Sequence, residues 1–347
     1  MTQVSVRYEL TLPTAGAALS IAVTVVNDSS SEMLSLDQCN LTLPIPDHFS
    51  DFTDFSGRWG LEFQSQTQSL RQVAYSRENR TGRTSHRGSA SVVVHEKELS
   101  AAYGQALSCH LAWSGNHRLR VEQLVDGRRY LQLGELLAPE EIVLSPGAAH
   151  SAPVVWCSFS NGGLTGLSSQ WHRFIREQFP TVGELQKKPR PVQINTWEGH
   201  YFDVNESKLL GLIEQAANLG IERFVLDDGW FCGRNDDQSS LGDWWADTQK
   251  LPRGLTPLIE ACSRNEMEFG LWVEPEMVSP DSDLYRSHPD WVLSHDPSPK
   301  LLARHQLVLD LARPEVEAYI YEALSTLLSQ HAITYLKWDM SRDIHQA

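Results

Sequence analysis

Residues 334–343 carry the side chains best suited to chemistry in this 347-residue sequence. The segment reads as a short, largely apolar strand that ends at Asp339, as a barrel strand does when it delivers a catalytic group to its C-terminal rim. Strand side chains alternate between faces, so Lys337 and Asp339 are predicted to point to the same side. A neighbouring ammonium favours the ionised form of an acid, which a nucleophilic carboxylate requires. An ordinary ion pair at a strand end explains this segment equally well when it is taken alone.

Strands and helices alternate through the C-terminal half of the chain. Strands are predicted at residues 192–196, 223–227, 269–273, 306–311 and 334–338, and helices at residues 207–218, 256–265 and 315–330. Successive βα units imply a parallel sheet, which is either doubly wound or closed into a barrel. No glycine-rich phosphate fingerprint follows these strands, and its absence weighs against a nucleotide-binding sheet.

Acids and tryptophans stand together where these predicted strands end. The runs are Trp197-Glu198, Asp227-Asp228-Gly229-Trp230, Glu274-Pro275-Glu276 and Asp339. Carboxylates accept hydrogen bonds from hydroxyls, and an indole face covers the apolar C–H face of a pyranose, so the pattern is typical of a carbohydrate site. Asp-Asp-Gly is also good turn chemistry, and a turn cap is the alternative interpretation of Asp227. Packing alone is the interpretation of Trp230, Trp244 and Trp245.

The N-terminal half shows alternation with period two and many β-branched residues. Strands are predicted at residues 4–10, 19–26, 91–95, 106–113 and 119–125, and turn residues such as Asp126-Gly127 separate them. Many short strands without helical periodicity predict a large β-sandwich. The predicted domains are a β-sandwich at residues 1–165, a helical linker at 166–190 and, at 191–347, the βα part, which is either doubly wound or the first portion of a barrel.

Composition limits the classes of partner. The formal net charge of −15 argues against nucleic acid and anionic membrane surfaces, whereas a neutral ligand is unaffected by that sign. The five cysteines are dispersed and never in CxxC spacing, so neither a disulfide framework nor a zinc site is predicted. With no secretory signal and no run of membrane-spanning length, a cytoplasmic location is expected.

Several long motifs give the chain a resemblance to the α-galactosidases of glycoside hydrolase family 36. In the C-terminal half they are Asn195-Thr196-Trp197-Glu198, Phe224-Val225-Leu226-Asp227-Asp228-Gly229-Trp230-Phe231, Leu241-Gly242-Asp243-Trp244, Gly270-Leu271-Trp272-Val273-Glu274-Pro275-Glu276-Met277, Arg304-His305-Gln306-Leu307-Val308-Leu309-Asp310 and Lys337-Trp338-Asp339-Met340. Shorter matches in the N-terminal half are Ser56-Gly57-Arg58-Trp59, Ser85-His86 and Trp113-Ser114-Gly115-Asn116. The resemblance covers essentially the whole chain.

The resemblance implies roles for individual residues. Asp339 corresponds to the family's catalytic nucleophile, and the sugar subsite corresponds to Trp197, Asp227, Asp228, Trp272, Arg304 and Lys337. Among these, Asp227 and Asp228 correspond to the pair that binds galactose hydroxyls, and Lys337 to a sugar-binding lysine. An ion pair between Arg304 and an acid on the barrel rim is compatible with its binding role. The family needs no metal or organic cofactor, and its N-terminal supersandwich helps to assemble a homo-oligomer, often a tetramer.

The function implied is that of a retaining α-galactosidase, which hydrolyses terminal α-D-galactosyl residues of melibiose- or raffinose-type sugars through a covalent glycosyl-enzyme. An α-galactosyltransferase of the raffinose-synthase kind and an α-N-acetylgalactosaminidase share this chemistry and stay open as alternatives. A non-catalytic galactose-binding or assembly fragment is the alternative of another class. The small-molecule α-galactoside is the expected partner, with neither nucleic acid nor membrane.

The expected fold is multi-domain, with the β-sandwich followed by an incomplete (β/α)8 TIM barrel. A retaining glycosidase needs a second carboxyl group about 5–5.5 Å from the nucleophile, and in this family that acid lies on a later strand. About five barrel strands are predicted here, whereas a closed barrel has eight and typically about 250 residues. We therefore expect this chain to be the N-terminal part of an enzyme and to be inactive alone.

Overall fold

A computed structural model of the chain describes residues 3–13, 18–70, 74–84, 86–178, 189–294 and 299–345. Contacts divide the chain into two units, Met1–Lys187 and Lys188–Ala347. The predicted domain limits at residues 165 and 190 stay a prediction, because residues 179–188 lie outside the described residues.

Antiparallel strands build the first unit. In its described part, an eight-stranded sheet contains, in order of pairing, β1 (Val4–Thr11), β2 (Leu19–Asn27), β14 (Val155–Ser160), β9 (Ala106–Leu111), β8 (Gly88–His95), β5 (Asp51–Arg58) and β6 (Leu61–Ser69), with β13 (Ala149–Ser151) also paired to β2. A four-stranded sheet contains β4 (Asn40–Pro44), β11 (Arg129–Glu135), β10 (His117–Gln123) and β7 (Ala74–Asn79). A small ribbon pairs β3 (Leu34–Ser35) with β12 (Val143–Leu144).

One apolar core is shared by the two larger sheets. Leu119 and Val121 of β10 and Val92 and Val94 of β8 are buried in the same cluster. Along β10 the residues between the buried positions are partly exposed, because successive strand side chains point to opposite faces. Burial of each such Leu or Val contributes roughly 1.5–3 kcal/mol. The predicted β-sandwich is confirmed.

Helix α1 (Gly163–Gln178) lies against β9 and β14 of the first unit. Leu167 and Phe174 are buried, and the indole N–H of Trp171 donates to Ser108 Oγ at 3.2 Å. The helix begins at Gly163 with φ +65°, where a Cβ would stand 2.5 Å from the Ser100 carbonyl oxygen. Only glycine fits this left-handed, closely packed start.

A parallel sheet organises the second unit. Its described strands follow each other in chain order as β15 (Gln193–Asn195), β16 (Arg223–Leu226), β17 (Glu268–Val273) and β20 (Tyr335–Trp338). The helices of this unit are α2 (Trp197–His200), α3 (Glu206–Asn218), α4 (Thr256–Arg264), α5 (Asp283–Ser287) and α6 (Pro314–Gln330). Strands that pair in sequence order around intervening helices are the repeating unit of a (β/α)8 barrel.

The predicted strand at residues 306–311 is not part of this sheet. Its residues Leu307 and Val308 form β19, which pairs antiparallel with β18 (Met277–Val278). The parallel sheet therefore has four described strands where about five were predicted. A short apolar run indicates a buried strand, but its periodicity does not say which strand it pairs with.

The larger helices follow their sequence signals. Asn205 caps α3 by accepting from the Lys208 N–H at 3.0 Å, and Gly220 with φ +77° follows its end. Helix α6 begins at Pro314, one residue before its predicted start, because proline suits the first position of a helix. Its buried residues have helical spacing and are Val316, Ile320, Leu324 and Leu327.

Two general features bear on the sequence predictions. In the described part of the chain, Cys39, Cys109, Cys157, Cys232 and Cys262 are free thiols. None of the helices within the described ranges has the length and apolar character needed to cross a bilayer.

Candidate active site

Three predicted site residues form one row across the carboxyl ends of the parallel strands. Trp272 of β17 pairs with Lys337 of β20. Leu226 pairs with Leu271, so Asp227, the next residue after β16, stands level with Trp272. Parallel strands in register present residues of one row to the same face. The strand ends thus bring together groups that lie far apart in the chain.

Asp227 and Lys337 form an ion pair within this row. Lys337 Nζ lies 2.7 Å from Asp227 Oδ2, and the side chains are 38% and 3% exposed respectively. Asn195 Nδ2 donates to the same oxygen at 2.5 Å, while Asn195 Oδ1 accepts from the Trp197 N–H at 2.8 Å. The nearly buried carboxylate is therefore held by Asn195 of the neighbouring strand β15 and by Lys337 of β20, two strands away, and the lysine keeps access to solvent.

No ion pair joins the ammonium of Lys337 to Asp339, although both side chains were predicted to point to the same side. The carboxylate partner of this ammonium among the described residues is Asp227. Alternation correctly predicts the face of a strand side chain, but a lysine chain is long enough to span a neighbouring strand. Here the ammonium of Lys337, on β20, reaches past β17 to the carboxylate of Asp227.

Asp339 follows β20 and is half-buried. Oδ2 accepts from the indole N–H of Trp272 at 3.2 Å, and Oδ1 accepts from the Met340 N–H at 2.8 Å. The backbone N–H of Asp339 donates to the Val273 carbonyl at 2.8 Å, which extends the ladder by one bond. Each carboxylate oxygen thus has one donor and keeps lone-pair capacity for a further contact.

Asp228 is bound by a buried arginine that the sequence did not single out. Arg234 Nε and Nη2 donate to its two oxygens at 2.9 and 2.8 Å, and Arg234 Nη1 donates to the Ser239 carbonyl at 2.6 Å. The arginine is 2% exposed. Burial raises the pKa of the Asp228 carboxyl, and the bonds from Arg234 oppose that shift. Asp228 therefore anchors the loop after β16.

Lys250 also holds this loop. Its ammonium donates to the carbonyls of Gly229 at 2.8 Å, Arg234 at 2.6 Å and Phe202 at 3.3 Å. Burial lowers the pKa of this ammonium, while the nearby acids Asp247 and Asp228 act in the opposite direction. Neither Lys250 nor Arg234 has a local sequence signal, because their partners are backbone carbonyls and a carboxylate within an irregular loop.

The two predicted sugar-binding tryptophans differ in exposure. Trp197 is half-buried, with Tyr201 and Phe202 edge-on at ring-centroid distances of 5.0 and 5.1 Å. Trp272 is buried, so it offers its N–H to Asp339 rather than an open ring face. The packing interpretation fits Trp230 and Trp244, which are both buried, whereas Trp245 is exposed.

Arg304 is the predicted site residue that the structure does not join to the others. It is exposed and has φ +52°, and no hydrogen bond or ion pair links its side chain to another residue of the described ranges. Its neighbour His305 also has a positive φ, at +57°. Such backbone is strained for a side-chain-bearing residue and marks a tight turn.

Glu274 is a further acid at this edge of the sheet. It follows β17, is 1% exposed, and accepts from the Ser341 N–H at 2.6 Å and the Ser341 hydroxyl at 2.5 Å. Burial raises the pKa of the Glu274 carboxyl; the bonds from Ser341 oppose this, and the nearby charges of Asp339 and Asp228 add to it. No group of three His, Cys, Asp or Glu in the described part of the chain is arranged to hold a metal ion.

Family models match both halves of the chain. The model described as Melibiase matches residues 149–347, and the model described as Glycosyl hydrolase family 36 N-terminal domain matches residues 1–145. An α-galactosidase of Escherichia coli is 46% identical over 307 residues, which are 88% of this chain and 43% of that protein.

Solved structures give the same result. The crystal structure of the glycoside hydrolase family 36 α-galactosidase AgaA from Geobacillus stearothermophilus matches with a TM-score of 0.92 and 35% identity, over 98% of this chain and 47% of AgaA. An AgaA variant solved in complex with raffinose matches with a TM-score of 0.91 and 35% identity over the same shares. These matches confirm the predicted fold, a β-sandwich followed by an incomplete (β/α)8 barrel. The chain spans less than half the length of these relatives.

Proposed function

Because the chain belongs to the melibiase family and carries the N-terminal domain of glycoside hydrolase family 36, we propose that the intact protein is a retaining α-galactosidase. Its proposed substrates carry terminal α-D-galactosyl residues, as melibiose and raffinose do. The proposal is supported by the α-galactosidase of Escherichia coli and by the raffinose complex of the AgaA variant.

Asp339 is the proposed nucleophile. Its carboxylate attacks the anomeric carbon, the bond from that carbon to the leaving oxygen breaks, and a general acid protonates the leaving oxygen. Water then attacks the same carbon of the galactosyl ester, gives a proton to the former acid, and releases the Asp339 carboxylate. Two inversions leave the released galactose in the α configuration. The proposal assigns no residue of this chain to the acid role.

The observation that carries the proposal is the setting of Asp339 at the end of β20. Two N–H donors, one to each carboxylate oxygen, hold the group in one orientation. A carboxylate that is oriented before the substrate arrives loses little entropy on reaching the transition state. The alternative interpretation of Asp339, an ordinary ion pair at a strand end, requires neither of these two N–H donors.

The neighbouring row is the proposed subsite for galactose. Adjacent sugar hydroxyls each donate and accept, which suits the carboxylate of Asp227 beside the ammonium of Lys337. We assign Asp228, whose oxygens keep lone pairs besides those used by Arg234, to a further hydroxyl. Trp197 covers an apolar sugar face, and Trp272 orients the nucleophile. Arg304, which has no hydrogen bond or ion pair to these groups, is assigned to the subsite from the family resemblance alone.

The test is sugar release by the intact protein, as its own gene produces it, from raffinose and from nitrophenyl glycosides. We expect release of galactose from raffinose, turnover of the α-galactoside but not of the β-galactoside or α-glucoside, and α-galactose as the first product seen by proton NMR. A first product in the β configuration would contradict the retaining mechanism.

Other outcomes distinguish the alternatives. Faster turnover of the N-acetyl-α-galactosaminide would favour the acetamido-sugar enzyme, and net transfer of galactose to added sucrose would favour the transferase. Galactose binding without turnover of any of these glycosides would contradict the proposal and favour a non-catalytic protein.

A further inference from the structure

Glu274 carries a carboxyl group beside the proposed nucleophile. This carboxyl group is buried, so substrate does not reach it. Val273 pairs with Trp338, so the residues that follow them, Glu274 and Asp339, stand side by side at the sheet edge. Glu274 is 1% exposed, whereas Asp339 is half-buried. A buried acid is retained at a cost in solvation, and its partners indicate what it does.

Both oxygens of Glu274 are occupied by protein donors. Oε1 accepts from the backbone N–H of Ser341 at 2.6 Å and from its hydroxyl at 2.5 Å. Oε2 accepts from Gln306 Nε2 at 3.2 Å. The shortest contacts of Glu274 are therefore those with Ser341, two residues after Asp339.

These contacts fix the turn that carries one of the nucleophile's own donors. The Met340 N–H, which donates to Asp339 Oδ1 at 2.8 Å, lies between two clamped points. On one side the Asp339 N–H is bound to the Val273 carbonyl at 2.8 Å, and on the other the Ser341 N–H is bound to Glu274. The peptide plane that carries the Met340 N–H therefore lies between two planes that are each held by a hydrogen bond, which limits its rotation and keeps the N–H directed at the carboxylate.

The support for Glu274 continues through Gln306. Gln306 is 1% exposed, and its backbone carbonyl accepts from Arg342 Nη1 at 2.5 Å. The same guanidinium nitrogen donates to the Leu301 carbonyl at 3.0 Å. The segment after Asp339 is thus bound at Ser341 to Glu274 and at Arg342 to Gln306, which itself donates to Glu274.

We propose that Glu274 is a positioning residue, which holds the Met340–Ser341 turn so that the Met340 N–H orients the carboxylate of Asp339 for attack. This inference rests on the proposed function. Glu274 is not a candidate for the acid of that reaction, because both of its oxygens are bound by protein groups and it is inaccessible to a leaving group.

Positioning of this kind requires an acceptor at Oε1 and not a charge. The carbonyl oxygen of a glutamine occupies the same place and accepts the same two bonds. Its amide N–H can also donate to Gln306 Oε1, a buried oxygen that has no hydrogen-bond partner among the described residues, once the Gln306 amide turns by 180° and exchanges its nitrogen for that oxygen. Glu274→Gln should therefore preserve the turn, whereas Glu274→Met keeps the volume and removes the acceptor.

The experiment measures kcat and KM for an α-galactoside on the intact protein and its variants. We expect Glu274→Met to lower kcat by about 100-fold with KM nearly unchanged, as for a small misplacement of a reacting group. Glu274→Gln should stay within about threefold of the unmodified protein, since it keeps the acceptor. Ser341→Ala, which loses the hydroxyl bond but keeps the N–H bond, should fall between them.

Glu276→Gln is the matched control. Glu276 lies in the same segment, accepts from the indole N–H of Trp338 at 3.0 Å, and is outside the proposed site, so its variant should keep normal kcat. If Glu274→Met does not fold, as judged by circular dichroism, the pair Glu274→Gln and Ser341→Ala decides, with only the second expected to be slow.

Four results would overturn the inference. Normal kcat in folded Glu274→Met would show that the turn does not need this residue, and normal kcat in Ser341→Ala would show that the bonds to Ser341 do not orient the nucleophile. Equal losses in Glu274→Gln and Glu274→Met would indicate a role for charge or proton transfer instead. If the unmodified protein turns over no α-galactoside, the proposed function fails first, and the inference that rests on it fails as well.

Discussion

At Asp228 a carboxylate predicted to bind sugar also holds a buried arginine. Its partner Arg234 is 2% exposed and uses three of its donors on Asp228 and Ser239. Removal of one member of a buried pair leaves the other charge without compensation, which is costlier than the loss of an exposed pair. The loop after β16 therefore depends on this contact for its shape.

Arg234→Met should destabilise the protein by about 3–5 kcal/mol, because the Asp228 carboxylate stays buried without its cation. Urea denaturation followed by tryptophan fluorescence measures the effect. Arg286→Met is the control, since Arg286 also bonds to two acids, Asp281 and Asp283, but is exposed to solvent. The control should have the same free energy of unfolding as the unmodified protein. Equal decreases in the two variants would contradict the larger effect expected for the buried pair.

The effect should depend on pH in a defined direction. The folded-state pKa of Asp228 is raised above its ordinary value of 3.8, so the stability from its neutral form is present below about that pH and is lost as pH rises through the folded pKa. Arg234→Met raises that pKa further. The destabilisation should be largest at neutral pH and shrink toward about pH 4, and a constant difference across this range would contradict the assignment.

The sequence predicted the faces of the site residues better than their partners. Alternation along residues 334–338 correctly identified Lys337 as a group at the strand end, but its ammonium contacts Asp227, 110 residues earlier in the chain. Such a contact depends on which strands become neighbours. The roles of Arg234 and Glu274 likewise depend on their burial, which residue type alone does not reveal.

The close spacing of the parallel strands limits the size of the side chain that fits at position 270. Gly270 of β17 lies between Val225 of β16 and Tyr335 of β20. A Cβ at this position would stand 2.9 Å from Tyr335 Cδ1 and 3.1 Å from Val225 Cγ2. The glycine thus permits close packing next to the strand that carries Asp339.

Gly270→Ala should destabilise the protein by about 1–3 kcal/mol, because the added methyl overpacks the space beside β20. Gly211→Ala is the matched control: Gly211 lies inside helix α3 and its Cβ would meet nothing within 4 Å. That change should stabilise by about 0.5–1 kcal/mol through helix propensity. Thermal denaturation compares the two, and a neutral Gly270→Ala would contradict the close approach of the strands.

The elements that the sequence predicted well have long periodic patterns or end signals. Helices α3 and α6 agree with their predicted limits to within one residue, because caps and prolines define them. Residues 306–311 were assigned to the wrong sheet, because a short apolar run is compatible with any buried strand.

For the whole molecule, the sequence supported the two-part architecture. Alternation with period two predicted the sandwich, and βα repetition predicted the parallel sheet, both of which the structure contains. Periodicity left open whether that sheet is doubly wound or a barrel, and the match to AgaA supports the barrel. Assembly of the intact protein into a homo-oligomer stays a prediction.

Covalent labelling of the intact protein is the most direct test of the proposal that Asp339 is the nucleophile of an α-galactosidase. A cyclophellitol aziridine with the α-galactose configuration forms a stable ester with the nucleophilic carboxylate, which attacks the ring carbon that corresponds to the anomeric carbon and breaks its aziridine C–N bond. Trypsin cleaves after Lys337 and Arg342 and releases Trp338-Asp339-Met340-Ser341-Arg342, in which Asp339 is the only side-chain carboxylate. We predict one label per chain on this peptide, blocked by excess galactose. A label on another peptide, or turnover of α-galactosides without any label here, would contradict the assignment of Asp339.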